Sequence, residues 1–235
     1  MSNNIAVIPA RGGSKRIPGK NIKDFRGVPV LGRAIKTAQE SGLFSHIIVS
    51  TDSDEIARVA QSFGARVPEK RPESLSDDWA PTAPVIRHSI LQLEDSGITV
   101  NRVCCIYPCT PLLRAEDLRD GLALLDEYGA DFVFPVVEYR HPVQRAMYRV
   151  GKGRMVLMNP ENELTRTQDL EKTYHDAGQF YWGMAESWKS GKNMHSNGHG
   201  LILPAWRVVD IDTPEDWKRA ELFYDVVNSS IGGEE

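Results

Sequence analysis

Arg11, Lys15, Arg16 and Lys20 stand close together in one short stretch, interleaved with Gly12, Gly13 and Ser14. Cations on a loop whose glycines lack a Cβ make a cradle for a polyanion: the backbone can approach the ligand closely while the side chains neutralise its charge. The stretch follows Ile5-Ala6-Val7-Ile8, an apolar run with β-branched residues that reads as a buried parallel strand ended by Pro9. Ligands of open α/β sheets bind beyond the carboxyl ends of the strands, so position as well as composition points to phosphate. A second constellation lies near the other end of the chain, where Trp206-Arg207-Val208-Val209 leads into Asp210-Ile211-Asp212. Alternation in a strand puts both carboxylates on one face, and hard oxygen ligands at that spacing suit Mg²⁺ carrying a triphosphate. Asp212 or Thr213 ahead of Pro214 also reads as a helix cap, and the two roles are compatible.

Two familiar phosphate loops do not fit. A Walker A loop needs four residues between its Gly and its Gly-Lys, then Ser or Thr, and opens into a helix. The residues between Gly13 and Gly19 are too many, Asn21 follows Lys20, and the turn-like Phe25-Arg26-Gly27-Val28-Pro29 leaves no room for that helix. The dinucleotide pattern Gly-x-Gly-x-x-Gly is absent. A solvated basic loop is the plain alternative, and the buried strand directly before it argues against that reading.

These groups must be positioned by the elements around them. Leu31, Ala34, Ile35 and Ala38 recur at helical spacing up to Gly42, His46 to Ser50 reads as a buried strand, and Ile56 to Phe63 reads as a helix capped by Thr51 to Glu55 and ended by Gly64. This βαβα opening predicts a parallel sheet with right-handed crossovers. Val67 to Pro84 is a long, proline-broken segment and so a candidate binding loop. A helix over Pro84 to Asp95, a strand over Val103 to Tyr107 and a helix over Ala115 to Tyr128 follow. Phe132 to Val137 reads as a strand in which Pro135 predicts a bulge or an irregular edge. Glu138 to Tyr174 loses helical period and suggests a hairpin around Gly151-Lys152-Gly153. The chain is therefore expected to have a main domain over 1–137 and 176–228, an inserted excursion over 138–175, a last helix over Pro214 to Val227 and a frayed tail over 229–235.

With 235 residues, 41% of them hydrophobic, the chain can bury a large core. Lys and Arg number 28 against 32 Asp and Glu, and a net charge of −4 argues against nucleic acid or an anionic membrane as the main partner. There is no apolar run of the length a spanning helix needs, about 18 residues, and no signal-like apolar core at the start, so a cytoplasmic protein is expected. Cys104, Cys105 and Cys109 have no His at metal spacing and are expected as reduced thiols.

Ile8-Pro9-Ala10-Arg11-Gly12-Gly13-Ser14-Lys15, with Lys20-Asn21 after it, resembles the signature of the cytidylyltransferases that make CMP-activated nonulosonic acids, the sialic acid class. The resemblance implies a Rossmann-like, doubly wound α/β fold with a mainly parallel sheet, of the nucleotide-diphospho-sugar transferase type. It implies CTP held by Ala10, Arg11, Gly12, Gly13, Ser14, Lys15, Lys20 and Asn21. In that family an Arg-Pro-x-x-Leu-x-x-Asp segment and a hydroxyl four residues on hold the base, which maps to Arg71, Asp78 and Thr82, with Ala80 between them. The inserted excursion of such enzymes exchanges between two subunits and completes the neighbour's sugar site, so a homodimer is implied.

The chain departs from the sialic acid pattern in two places. Sialic acid members show Gln-Pro-Thr-Ser-Pro-Leu-Arg where this chain has Tyr107-Pro108-Cys109-Thr110-Pro111-Leu112-Leu113-Arg114, and Arg-x-Asn-Gly-Ala where it has His175-Asp176-Ala177-Gly178-Gln179. Asp176 to Trp182 resembles the pseudaminic acid members instead. Tyr107, Thr110, His175, Asp176, Gln179 and Tyr181 are accordingly the expected sugar-binding residues. The expected reaction transfers CMP from CTP to the anomeric hydroxyl of a nine-carbon α-keto acid sugar and releases pyrophosphate. Arg11, Lys15 and Lys20 would neutralise the triphosphate, and Asp210 and Asp212 would carry Mg²⁺. A sialic or legionaminic acid acceptor and a non-catalytic nucleotide-binding module remain as alternatives.

Overall fold

In this computed structural model the described residues are 3–77 and 80–231. In chain order they form β1 (Asn4–Pro9), the short pair β2 (Asp24–Phe25) and β3 (Val28–Pro29), α1 (Val30–Ser41), β4 (His46–Ser50), α2 (Asp54–Ser62), α3 (Thr82–Asp95), β5 (Arg102–Ile106), α4 (Ala115–Tyr128), β6 (Phe132–Glu138), β7 (Met147–Val150), β8 (Arg154–Leu157), β9 (Tyr174–Asp176), β10 (Phe180–Met184), α5 (Ala185–Lys189), β11 (Gly198–Ile202) and α6 (Pro214–Ile231). The central sheet has the order β11-β6-β10-β5-β1-β4, with β9 also paired to β6. β1 is parallel to both β4 and β5, and β11 is parallel to β6. β10 enters antiparallel between β5 and β6, and β9 is antiparallel to β6, so the sheet is mixed with one dominant direction.

Helices cover both faces, and strand alternation sorts the core between them. Ala6, Ile8, Cys104 and Ile106 face the layer that holds Leu31 and Ile35 of α1 and Leu118 and Leu125 of α4. Ile5, Val7, Val103 and Cys105 face the opposite layer, with Ile86 and Ile90 of α3 and Trp188 of α5. This is the doubly wound arrangement that the resemblance implied. A third, smaller cluster joins Ile17, Phe25, Leu112, Val209 and Ile211 to Trp217 and Ala220 of α6, beside the carboxyl end of β1.

Pro135 proves to lie inside the sheet, not at its edge. Its carbonyl accepts from the Ala177 N–H at 3.0 Å. In an extended strand the N–H and C=O of one residue point the same way, so the missing donor of Pro135 faces the break where 177–179 leaves the ladder between β9 and β10. The structure differs from the sequence reading at three further points. Tyr174 and His175, placed in the excursion, pair with Glu138 and Val137 of the main sheet. α3 starts at Thr82 instead of Pro84. α6 continues through Ile231, so the tail expected from 229 is helical as far as 231, and 232–235 lie outside the described residues. The expected hairpin is present as β7 and β8, a separate two-stranded sheet turning at Gly151. Cys104, Cys105 and Cys109 are free thiols.

Candidate active site

The basic loop leaves β1 beside the carboxyl ends of β4 and β5 and forms one wall of a cavity of about 450 Å³. Local bonds set its path. The buried Ala10 donates to the Ser50 carbonyl at 2.9 Å, and the Gly12 N–H donates to the Asp52 carboxylate at 2.8 Å. A Cβ on Gly12 would lie 3.2 Å from the Ser53 Cβ, whereas around Gly13 the space is open. Asn21, also buried, donates to the Arg11 carbonyl at 2.8 Å and so props the loop from beneath. Arg11, Ser14, Lys15, Lys20 and Asn21 line the cavity; Ala10, Gly12 and Gly13 shape the backbone behind it.

Across the cavity the loop meets the acidic segment. Lys20 Nζ donates to the Ile211 carbonyl at 2.7 Å and lies 3.6 Å from an Asp212 oxygen; Arg16 pairs with that same oxygen at 2.7 Å. The strand expected over 206–212 is absent: Ala205–Arg207 is a 3-10 turn and 208–212 forms no ladder. Alternation nevertheless holds, because Val209 and Ile211 are buried in the third cluster and turn Asp210 and Asp212 to the cavity. Desolvation inside the cavity raises the pKa of Asp210, the neighbouring Asp212 charge adds to the rise, and Lys20 opposes it. Asp210 and Asp212 are the carboxylates that could hold a divalent cation. Among the described residues no group of three or more His, Cys, Asp or Glu side chains forms a closed metal site.

Of the residues expected to hold the base, Arg71 is buried, and its Nε and Nη2 have no hydrogen-bond partner among the described residues. Burial lowers its pKa, the Arg11 charge acts in the same direction, and Asp52 opposes both. A buried guanidinium with unused donors is costly unless something accepts from it, and Arg71 lines this cavity. Ala80 and Thr82 also line it, the Thr82 hydroxyl lying 3.1 Å from the Tyr107 hydroxyl. Asp78 lies outside the described residues.

Asp210 also borders a second cavity of about 520 Å³, walled by Val137, Tyr139, His175, Asp176, Arg219 and Phe223 among others. The Asp176 carboxylate accepts from the Gly178 N–H at 2.8 Å and the Tyr181 hydroxyl at 3.0 Å, and lies 2.9 Å from His195 Nε2. The Tyr107 and Tyr181 rings sit 5.2 Å apart, and burial raises the pKa of both phenols. Of the expected sugar-binding residues, His175 and Asp176 face the second cavity and Tyr107 the first. The other three stand behind the walls. Tyr181 is buried beneath Asp176; Thr110 is buried and donates to the Tyr107 carbonyl at 2.9 Å; Gln179 is buried and donates to the Arg207 carbonyl at 3.0 Å, its Oε1 unpartnered. Arg16, expected as one of the cations of the basic loop, turns to Asp212. Arg219, which borders the second cavity, and His195, which braces Asp176, were not among the expected residues, since their places are set by folding and not by a local pattern.

A doubly wound, mainly parallel sheet with a basic loop beyond its first strand is the fold type seen in solved nucleotidyltransferases. The solved structure of CMP:2-keto-3-deoxy-manno-octonic acid synthetase complexed with CTP matches it with a TM-score of 0.70, covering 96% of this chain and 100% of that one at 15% identity. A 4-diphosphocytidyl-2C-methyl-D-erythritol synthase from Anaerococcus prevotii matches with a TM-score of 0.60 at 12% identity, over 95% of this chain and 99% of its own. Likeness at those identities is likeness of fold. The cytidylyltransferase family profile matches residues 5–187, and the chain belongs to that family. The pseudaminic acid cytidylyltransferase of Campylobacter jejuni is 37% identical over 97% of this chain and 98% of its own length. The CMP-N,N'-diacetyllegionaminic acid synthase of Legionella pneumophila is 30% identical over 97% and 98%, and the N-acylneuraminate cytidylyltransferase A of Danio rerio 35% identical over 92% of this chain and 49% of its own.

Proposed function

We propose that this protein transfers CMP from CTP to the anomeric hydroxyl of pseudaminic acid, releasing pyrophosphate. The observation that carries the proposal is the meeting of the basic loop and the Asp210–Asp212 segment across one cavity, with Asp210 also bordering a second. Transfer at an α-phosphate needs charge stabilisation and in-line placement more than a protein nucleophile. Arg11, Lys15 and Lys20 neutralise the triphosphate, Asn21 holds the loop that carries them, and Arg71 and Thr82 face the base. Mg²⁺, which commonly takes only one or two protein carboxylates and completes its shell with phosphate oxygens and water, fits Asp210 and Asp212 and would supply Lewis-acid activation of the acceptor hydroxyl. The acceptor occupies the second cavity, whose Val137, Ala177, Val208 and Phe223 suit the methyl and acetamido groups of a deoxy sugar.

The excursion supports a homodimer, because Met147, Tyr148, Val150 and Met155 of β7 and β8 are exposed apolar side chains on a small sheet with no cover of its own. A cytoplasmic location is part of the same proposal. No helix among the described residues is long and apolar enough to cross a membrane.

Pyrophosphate release from CTP and Mg²⁺ with a panel of nonulosonic acids tests the proposal. Pseudaminic acid should be preferred over N-acetylneuraminic acid by at least about tenfold in kcat/KM, the scale on which binding sites separate close analogues. Comparable turnover of the two sugars would overturn the acceptor and leave cytidylyl transfer standing. Release with none of them would remove both.

Base selection has its own test. Cytosine presents N3 and O2 as acceptors to the unused donors of Arg71, whereas uracil presents an N3–H. Arg71→Met should raise KM for CTP by about 10- to 150-fold, the loss of hydrogen bonds to a charged group worth about 1.5–3 kcal/mol, and narrow the preference for CTP over UTP. An unchanged CTP/UTP ratio in that variant would remove Arg71 from base recognition.

A further inference from the structure

We infer that Arg219 is the anchor for the acceptor's carboxylate and thereby restricts the reaction to α-keto acid sugars; the inference rests on the reading proposed above. In such a sugar the carboxylate is attached to the same carbon as the attacking hydroxyl. Wherever that hydroxyl meets the α-phosphate beside Asp210, the carboxylate must therefore sit close by, next to a cavity wall that already carries Asp210, Asp176 and Glu138, the last paired with Lys172 at 3.0 Å. A further anion there requires a cation to offset it.

The cavity offers three candidates, and their surroundings distinguish them. His175 has its Nδ1 2.9 Å from the Asp176 carbonyl and its ring against Tyr139. Arg140 and Arg219 are both exposed, but Arg140 follows the end of β6 in a bend outside any helix or strand. Arg219 projects from α6, the helix that begins directly after the acidic segment and is fixed by the buried Trp217 and Ala220. That helix is further tied to the β2–β3 turn, where Arg33 donates to the Phe25 carbonyl at 2.8 Å and the Tyr224 hydroxyl at 2.6 Å. Phe223, one turn beyond Arg219, lines the same cavity, so this face of the helix is turned towards it.

Arg219 makes no hydrogen bond or close ion pair among the described residues, and its charge is the weakest of the influences that lower the Asp216 pKa, after the Thr213 hydroxyl and the backbone N–H groups. The acid one turn before it, Asp216, already accepts from the Thr213 hydroxyl at 2.7 Å and from the Thr213 and Asp212 N–H groups at 2.9 and 3.2 Å. The guanidinium is left to face the cavity with its planar fork of donors, the geometry that binds a carboxylate in two places. Because it rises from the helix that follows Asp212, one rigid piece sets both the carboxylate anchor and the acidic pair.

The test compares the free acid of the acceptor with its methyl ester in the full-length protein, for the unmodified enzyme and for Arg219→Ala, Arg219→Lys and Arg140→Ala, with pyrophosphate release as the readout. The unmodified enzyme should prefer the acid by at least about tenfold in kcat/KM, in keeping with the discrimination a charge-assisted pair supplies. In Arg219→Ala the preference should collapse to less than about threefold while KM for CTP stays within about twofold, and Arg219→Lys should restore part of it because it returns the charge without the fork. Arg140→Ala should keep the preference. A purely structural role for Arg219 would lower turnover of acid and ester together. The anchor is overturned by an Arg219→Ala enzyme that still favours the acid, by a collapse in Arg140→Ala instead, or by an unmodified enzyme that is indifferent to the ester; in each case cytidylyl transfer itself stands. An unmodified enzyme that releases no pyrophosphate with any free acid overturns the proposed function and the anchor together.

Discussion

Asp210→Asn should yield a folded protein that melts at the same temperature as the unmodified one or slightly above it at neutral pH without metal or nucleotide, yet turns over at least about 100-fold more slowly, the scale on which a single electrostatic group contributes to a transition state. The sign of the stability effect follows from the raised pKa. Desolvation comes first and the Asp212 charge second, so folding disfavours the ionised form of Asp210. A group with a raised folded pKa adds stability below its unfolded pKa and loses that contribution as pH rises through the folded value. At neutral pH the carboxylate is therefore a small cost that an amide removes. Mg²⁺ with CTP should raise the melting temperature of the unmodified protein by mass action and raise that of the variant much less. Asp212→Asn should lose activity too, but its carboxylate is the partner of Arg16 at 2.7 Å, so that variant also loosens the basic loop. Near-normal turnover of Asp210→Asn at saturating Mg²⁺ would separate this carboxylate from the chemistry.

Much of this arrangement is visible in local sequence because it is made of local devices. α4 spans Ala115–Tyr128 as the apolar spacing predicts, and it ends at Gly129, whose φ of 56° is the left-handed conformation that favours glycine. The β7–β8 hairpin likewise turns on Gly151 and Gly153, both with positive φ. What stayed hidden depends on distant residues meeting. An apolar run identifies β10 as buried but carries no sign of its direction or neighbours, so its antiparallel entry between β5 and β6 could not be read. The alternation at 209–212 was visible for a different physical reason from the one it suggested: Val209 and Ile211 are held by burial against Trp217 and its neighbours, with no strand partner. Gln179 stood out as a polar residue in an aromatic strand, a pattern that fits a ligand contact and a buried structural amide equally; its Nε2 binds the Arg207 carbonyl. The pairing of Arg16 with Asp212 spans 196 positions, and no periodicity reaches that far.

Asp117→Ala should cost about 3–5 kcal/mol, the range for leaving one member of a buried ion pair alone. The Asp117 carboxylate receives Arg207 Nη1 at 3.0 Å and Nη2 at 2.8 Å, a two-pronged pair with side chains only 5% and 11% exposed. It also accepts the Arg114 N–H at 3.0 Å and so caps α4. Removing it leaves a buried guanidinium uncompensated and an uncapped helix start. For a chain of this size the corresponding fall in melting temperature is roughly 6–20 °C. Activity should fall beyond what unfolding explains, because Arg207 closes the turn that leads to Asp210 and Asp212, and its carbonyl holds Gln179. The double variant Asp117→Leu with Arg207→Met separates the two effects. Replacing both partners by apolar groups removes the stranded charge and should recover most of the stability, yet it does not restore the tie between α4 and the acidic segment. Turnover should then stay low at temperatures where the double variant is fully folded. Recovery of stability and turnover together would show that the pair serves the fold alone; a single variant that melts within about 1 °C of the unmodified protein would show that Arg207 finds another partner or reaches water.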